Sequence, residues 1–229
     1  EKKIEEMDVV FLMDRFGYAK TVDVSVYERN KEAADAENRY VLTCKNTDKI
    51  CIFTNKGQMH LLKVLDLPYG KFRDKGIPID NLSNYNSSEE NFVYIINLGA
   101  IVHSRLLFGT KTAMLKMVDG SEFDVAKRTT AATKLNDEDE LLIVRAVTGE
   151  ETVVMQSEKE MFLRIEASAI PEKKKGAVGV RGMKLNAGDA LSNIYVLDGE
   201  NEQTVEVKGK EVVLNRLRIG NRDTKGMKR

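Results

Sequence analysis

The 229-residue sequence predicts an all-β protein built from repeated hairpins. Three observations predict it. Short apolar runs rich in Val, Ile, Leu, Phe and Tyr recur along the chain, interleaved with polar residues. The runs break at Gly, Asn or Asp, which turn a hairpin readily. One outline, an apolar strand, a tight turn and a second strand carrying a basic or polar residue, recurs five times.

The first hairpin is Asp8–Tyr27, where the run Val9–Met13 meets Asp14-Arg15-Phe16-Gly17. The charged, Ala-containing stretch Glu28–Arg39 follows. It is the best helical candidate in a chain with weak helical signals, and otherwise reads as a mobile loop. The second hairpin, Lys49–Pro68, carries the run Ile50–Thr54 and turns at Asn55-Lys56-Gly57. Asn81–Asn91 reads as an insertion loop. In the third, Thr112–Thr129, the run Ala113–Val118 meets Asp119-Gly120, a strong two-residue turn signal. The fourth is Thr152–Ala169, with the run Val153–Gln156 and a turn at Lys159. The acid-rich turns Asn136–Glu140 and Asn186–Asp189 lead into strands at Leu141–Val144 and Leu191–Val196. The fifth is Gln203–Ile219, where Val205–Lys208 meets Gly209.

The turn positions Gly17, Gly57, Gly120, Lys159 and Gly209 lie 40, 63, 39 and 50 residues apart. A β repeat of about 40 to 60 residues implies radially arranged blades or a similar array, in which neighbours cover the faces one hairpin cannot bury. A β-sandwich with similar hairpins is the alternative. The blades are expected at roughly 8–45, 46–90, 91–140, 141–190 and 191–229, within a single domain. A basic cluster, then Gly, then a short apolar stretch follows three of the hairpins, at Lys71–Ile79, Lys173–Leu185 and Asn221–Lys228.

Composition restricts the function. No apolar run reaches the roughly 18 residues of a membrane span, and no signal peptide opens the chain. Cys44 and Cys51 make no disulfide framework, so a reducing cytoplasm is expected. They are seven apart with no second pair, and His60 and His103 have no acidic or Cys partner at ligand spacing. No metal, cofactor or catalytic residue is expected. A propeller enzyme would need clustered carboxylates or histidines, and pairs such as Glu150/Glu151 read as solvated turns. Tyr18, Tyr40, Phe53, Phe92 and Phe162 read as core or blade-interface residues. The chain begins at Glu1 and reads as a piece of a longer protein.

Gly17-Tyr18-Ala19-Lys20, Leu67-Pro68 running into Gly76-Ile77-Pro78-Ile79, and Gly179-Val180-Arg181-Gly182-Met183-Lys184-Leu185-Asn186-Ala187-Gly188-Asp189 carry a resemblance. From about Asp8 to its end the chain resembles the C-terminal domain of the A subunit of bacterial type IIA topoisomerases, gyrase and topoisomerase IV. The resemblance implies a β-pinwheel, a propeller-like disc of about five four-stranded blades that exchange strands, with double-stranded DNA bent around a basic rim. It also implies partners: the rest of the A subunit on the same polypeptide and a separate B-type ATPase subunit, in the bacterial nucleoid. In that family strand cleavage and ATP hydrolysis lie outside this domain, so the chain alone is expected to be inactive. Gyrase A subunits carry a Q-R-R-G-G-K-G box after the first hairpin. Here Glu28–Arg39 has no glycine, and three Arg or Lys face four Asp or Glu. That departure favours topoisomerase IV, with a gyrase whose box has degenerated as the alternative.

The charge pattern fits DNA on its own terms. Lys and Arg number 36, as do Asp and Glu, so the net charge is zero. The balance is uneven: residues 1–39 hold 7 basic and 10 acidic side chains, residues 173–229 hold 13 and 7. Phosphate contact needs cations spaced along a surface, gives sequence-independent affinity, and weakens steeply with salt. The candidates for phosphate contact are Lys20 in the first repeat and Lys63, Lys71, Arg73 and Lys75 in the second. Lys127 and Arg128 come from the third. The fourth adds Arg164, Lys173, Lys174, Lys175, Arg181 and Lys184, and the last Arg216, Arg218, Arg222, Lys225 and Lys228. The competing function is a propeller that binds protein, its basic loops being solubilising surface.

Overall fold

The computed structural model describes residues 2–229, and most of their regular structure is strand. The described residues fall into two compact units. The first comprises the chain through Thr54, Gln58–Val102 and Phe123–Thr130; the second comprises Asn55–Gly57, His103–Glu122 and Ala131–Arg229.

The first unit holds two sheets. In one, Tyr40–Lys45, Asp8–Met13, Tyr18–Asp23 and the short strand Tyr69–Gly70 lie in that order, and Ile77–Pro78 also pairs with Tyr18–Asp23. Both faces of this sheet are buried. Val9, Phe11 and Met13 share a core with Ile50, Ile52, Leu62 and Ile95 of the second sheet, while Val10, Leu12 and Val22 pack with Ala34. Double burial is why Val9–Met13 reads as an unbroken apolar run. Ala34 belongs to one of two short helices, Val24–Arg29 and Lys31–Glu37, so Glu28–Arg39 is largely helical and is no loose loop. Lys31 pairs with Asp35 at 2.7 Å one turn on. The second sheet orders Phe92–Asn97, Lys49–Thr54, Gln58–Lys63 and Thr129–Ala131. The insertion 81–91 is built in: Tyr85 is buried, and the Ser83 hydroxyl donates to the Ile79 carbonyl at 2.6 Å.

The second unit also holds two large sheets. One orders Leu141–Val147, Arg105–Thr110, Met114–Asp119 and Val180–Arg181. The other orders Leu191–Leu197, Thr152–Ser157, Met161–Glu166 and Ile219–Gly220, with Met227–Lys228 on Met161–Glu166. Leu107, Leu115, Met155, Ile165 and Ile194 of the two sheets share one core. The fifth repeat, expected as a full blade, is a two-stranded hairpin of Thr204–Val207 and Lys210–Val213 in the described residues.

The third hairpin differs from its sequence reading. Its strands are Arg105–Thr110 and Met114–Asp119, so it turns at Lys111–Ala113; Asp119-Gly120 instead ends the strand and opens a 3₁₀ turn, Gly120–Phe123. The reason is backbone geometry. Ala113 takes φ +67° where the first two hairpins place Gly17 at +90° and Gly57 at +75°. The fourth hairpin uses Glu160 at +62°, one residue beyond the expected Lys159. Non-glycine residues seldom adopt this left-handed conformation, so neither turn announces itself. With Gly209 at +78°, the true turn positions lie 40, 56, 47 and 49 residues apart, a more even repeat than the sequence suggests.

Candidate nucleic-acid interface

Each of the three basic loops docks on the sheet of the hairpin one repeat before the hairpin it follows, and all three repeat one path. In the first, Tyr69 and Gly70 run parallel to Thr21 and Val22, the chain bulges over 71–76, and Ile77 and Pro78 return antiparallel to Ala19 and Tyr18. In the second, Glu172 bridges Met117 in parallel, the bulge spans 173–179, and Val180 and Arg181 return on Leu115 and Met114. In the third, Ile219 and Gly220 run along Arg164 and Ile165, the bulge spans 221–226, and Met227 and Lys228 return on Phe162 and Met161.

The glycine closing each bulge has a steric cause. A Cβ would stand 2.7 Å from the Ala19 carbonyl oxygen at Gly76, 2.6 Å from that of Leu115 at Gly179, and 2.9 Å from that of Phe162 at Gly226. These three carbonyls belong to the second residue after the left-handed turn residue in their hairpins. Only a residue without Cβ returns so near the strand, which is why a glycine closes each bulge.

Two lysines lie beneath the bulges. Lys20 Nζ donates to the carbonyls of Phe72 and of Asp74, the latter at 2.7 Å, and sits 5.1 Å from the centre of the Phe72 ring. Lys116, 1% exposed, donates to the carbonyls of Lys174, Lys175 and Ala177 at 3.0, 3.1 and 2.8 Å. Burial pulls both ammonium groups below their ordinary pKa, Lys116 to about 8. Lys20 is thus engaged with backbone carbonyls. Arg164 is too: it donates to the carbonyls of Asn215 and Leu217 at 2.7 and 3.1 Å and to the Thr152 hydroxyl at 3.0 Å.

The other candidates divide by what they touch. Arg181 pairs with Asp223 and holds that carboxyl below the usual carboxylate range. Arg222 donates to the carbonyls of Ala169 at 3.2 Å and Arg181 at 2.9 Å, and Arg216 lies 3.9 Å from Glu202. Arg128 donates to the Leu82 carbonyl, Lys175 to that of Glu122, and Lys75 stands 5.9 Å from the centre of the Tyr18 ring. Lys63, Lys71, Arg73, Lys127, Lys173, Lys174, Lys184, Arg218, Lys225 and Lys228 are exposed, and their side chains make no ion pair among the described residues. Lys63, Lys127 and Arg128 come together in a cleft of about 300 Å³ with Lys49, a cation the sequence reading missed, and Asp66.

Three readings of single residues change. His60 has an acidic partner: its Nε2 lies 2.9 Å from Glu90 Oε2 and its Nδ1 2.8 Å from the Thr129 hydroxyl. His103 sits in an exposed turn, not on a strand. Phe53 and Phe162 are buried as expected, whereas Tyr18 is exposed, beside Phe16 at 68% exposure. Arg15 stacks 4.7 Å from the Phe16 ring centre. No helix among the described residues is long and apolar enough to cross a membrane.

Comparison with known proteins bears on these features. The family described as DNA gyrase C-terminal domain, beta-propeller, matches residues 104–148 and 151–198. The DNA gyrase A protein of Lawsonia intracellularis is 28% identical over 246 residues, covering 99% of this chain and 30% of that protein. Its Staphylococcus epidermidis counterpart is also 28% identical, over 100% of this chain and 27% of its own length. The chain thus spans under a third of these relatives. Among solved structures, a topoisomerase IV C-terminal domain aligns with TM-score 0.86 and 20% identity, covering 98% of this chain and 73% of that one. The E. coli ParC C-terminal domain aligns with TM-score 0.79 and 13% identity over 97% and 94%. A DNA gyrase A C-terminal domain aligns at 0.63 and 18% over 96% and 76%. The fold is all-β, of the β-pinwheel class.

Proposed function

We propose that this chain is a C-terminal domain of the bacterial type IIA topoisomerase A-subunit kind, a non-catalytic module that holds duplex DNA by its phosphates. The observation that carries this reading is the equivalence of the three basic loops. Each leaves a sheet edge by the same path and presents exposed cations, among them Lys71 and Arg73, Lys173 and Lys174, and Lys225. Cations gathered at repeat-equivalent positions in a chain of zero net charge suit a partner that is anionic and extended. Duplex DNA meets that description, and backbone contact asks for no base readout.

The domain would bend the duplex and deliver it to the strand-passage core of the same polypeptide, with a B-type partner supplying ATP hydrolysis. Smoothly bending 20–30 bp costs about 1–6 kcal/mol, so several charge-assisted contacts must act together. The topoisomerase IV type fits better than the gyrase type. Residues 24–37, where a gyrase box would offer glycine amides and cations, form two helices with net negative sequence over 28–39.

Equilibrium binding of a mixed-sequence duplex against salt tests the reading. Affinity that falls linearly in log–log form, with a slope equivalent to several phosphates, supports it. No binding at low salt refutes it and favours a protein-binding module.

A further inference from the structure

We propose that Lys20 and Lys116 are positioning residues, internal pegs that hold the basic loops 71–76 and 173–179 in the bulged form that presents their cations. The inference rests on the DNA-binding reading above and adds the residues through which the loops are shaped.

Both lysines occupy one register position. Each is the third residue after the left-handed turn residue, Gly17 or Ala113, and faces the first strand, opposite Leu12 or Phe108. From there each ammonium reaches up under its own loop. Lys116 has three N–H donors and three carbonyl acceptors, so the group is saturated and its geometry defined. With those carbonyls turned inward, Lys173 and Lys174 stand exposed. Glu122 backs the same loop, its carboxylate accepting from the Lys175 backbone N–H at 3.2 Å.

A buried ammonium is costly where an apolar side chain would serve. The fourth hairpin shows that the sheet itself does not require a cation here: the equivalent residue, three after Glu160, is Leu163, 7% exposed. Its loop is held differently, by Arg222 donating to the carbonyls of Ala169 and Arg181. In the second hairpin the equivalent residue is His60, which reaches side chains, Glu90 of the insertion and Thr129 of the returning strand. Lysine therefore stands where a carbonyl-lined bulge has to be tied down.

The test uses Lys116→Met and Lys20→Met in the whole chain, read two ways. Amide hydrogen exchange without DNA reports the loops, and duplex affinity against salt reports the function. Lys116→Met should speed exchange over 173–179 by about tenfold or more and leave 71–76 unchanged; Lys20→Met should do the reverse. Each should weaken duplex binding by about three- to tenfold and make the salt slope shallower, because displaced cations release fewer counterions. Unaltered loop exchange in a folded variant overturns the pegs. Faster exchange with unaltered affinity and slope overturns their positioning role. Should Lys116→Met not fold, Lys20→Met, at a half-buried site, decides by the same criteria. If the unmodified chain binds no duplex, the DNA reading fails, and exchange alone still decides whether these lysines hold the loops.

Discussion

Gly179 passes so close to Leu115 that a Cβ would stand 2.6 Å from the Leu115 carbonyl oxygen, and its φ of +104° is left-handed. Gly176, three residues earlier in the same loop, has open space around it and no such φ. Gly179→Ala should therefore cost about 1–3 kcal/mol from backbone strain alone. Gly176→Ala should stay within about 0.5 kcal/mol. Urea unfolding of the two variants measures the contrast, and equal effects would remove the steric reading of the motif.

His60 and Glu90 make a buried polar pair. Glu90 also accepts from the Asn86 backbone N–H at 3.0 Å, and its carbonyl accepts from the Tyr85 hydroxyl at 3.1 Å. Glu90→Ala leaves a buried ring nitrogen without its partner, a loss of about 1–3 kcal/mol. The insertion should loosen with it, seen as faster amide exchange over 81–91. An unchanged unfolding midpoint would show that the insertion is a passive surface loop.

The pH dependence of Lys116 has a definite sign. Burial lowers its pKa from 10.5 to about 8, against a raising influence from Glu122. Below the folded value the lysine is charged in both states and the cost of burying that charge is fully present. Between pH 8 and 10.5 the unfolded chain binds more protons than the folded one, so the unfolding free energy from this group rises with pH. The stability of the unmodified chain relative to Lys116→Met should thus increase from pH 8 to 10. A flat or falling difference would contradict the burial argument.

DNA handling separates the two topoisomerase types. With helices at 24–29 and 31–37 and no glycine-rich cationic loop there, the chain should leave little positive writhe in a nicked plasmid after ligation. Topoisomer distributions on an agarose gel measure this. Strong positive writhe would return the chain to the gyrase type.

What the sequence made legible follows from what leaves a local mark. Gly17, Gly57 and Gly209 mark their turns because glycine tolerates positive φ, while Ala113 and Glu160 do the same work silently and put the third and fourth turns out of place. The basic loops are legible because Gly76, Gly179 and Gly226 are sterically required. The helices at 24–37 carry no side-chain cap bonds and depend on packing of Ala34 against the sheet, which no local signal records. Lys116 sits inside the apolar run Met114–Val118, and its partners are backbone carbonyls 58 to 61 residues away. Backbone acceptors have no residue type, so its role is invisible in sequence. Glu90 is hidden for a different reason: the insertion brings it to His60 across 30 residues.

The most direct measurement compares salt slopes of duplex binding for the unmodified chain and a variant with its loop cations neutralised, Lys71→Gln, Arg73→Gln, Lys173→Gln, Lys174→Gln and Lys225→Gln. Each phosphate contact contributes about 0.9 to the slope, so the variant should lose several units and most of its low-salt affinity. Identical slopes and affinities would mean that these loops do not carry the DNA.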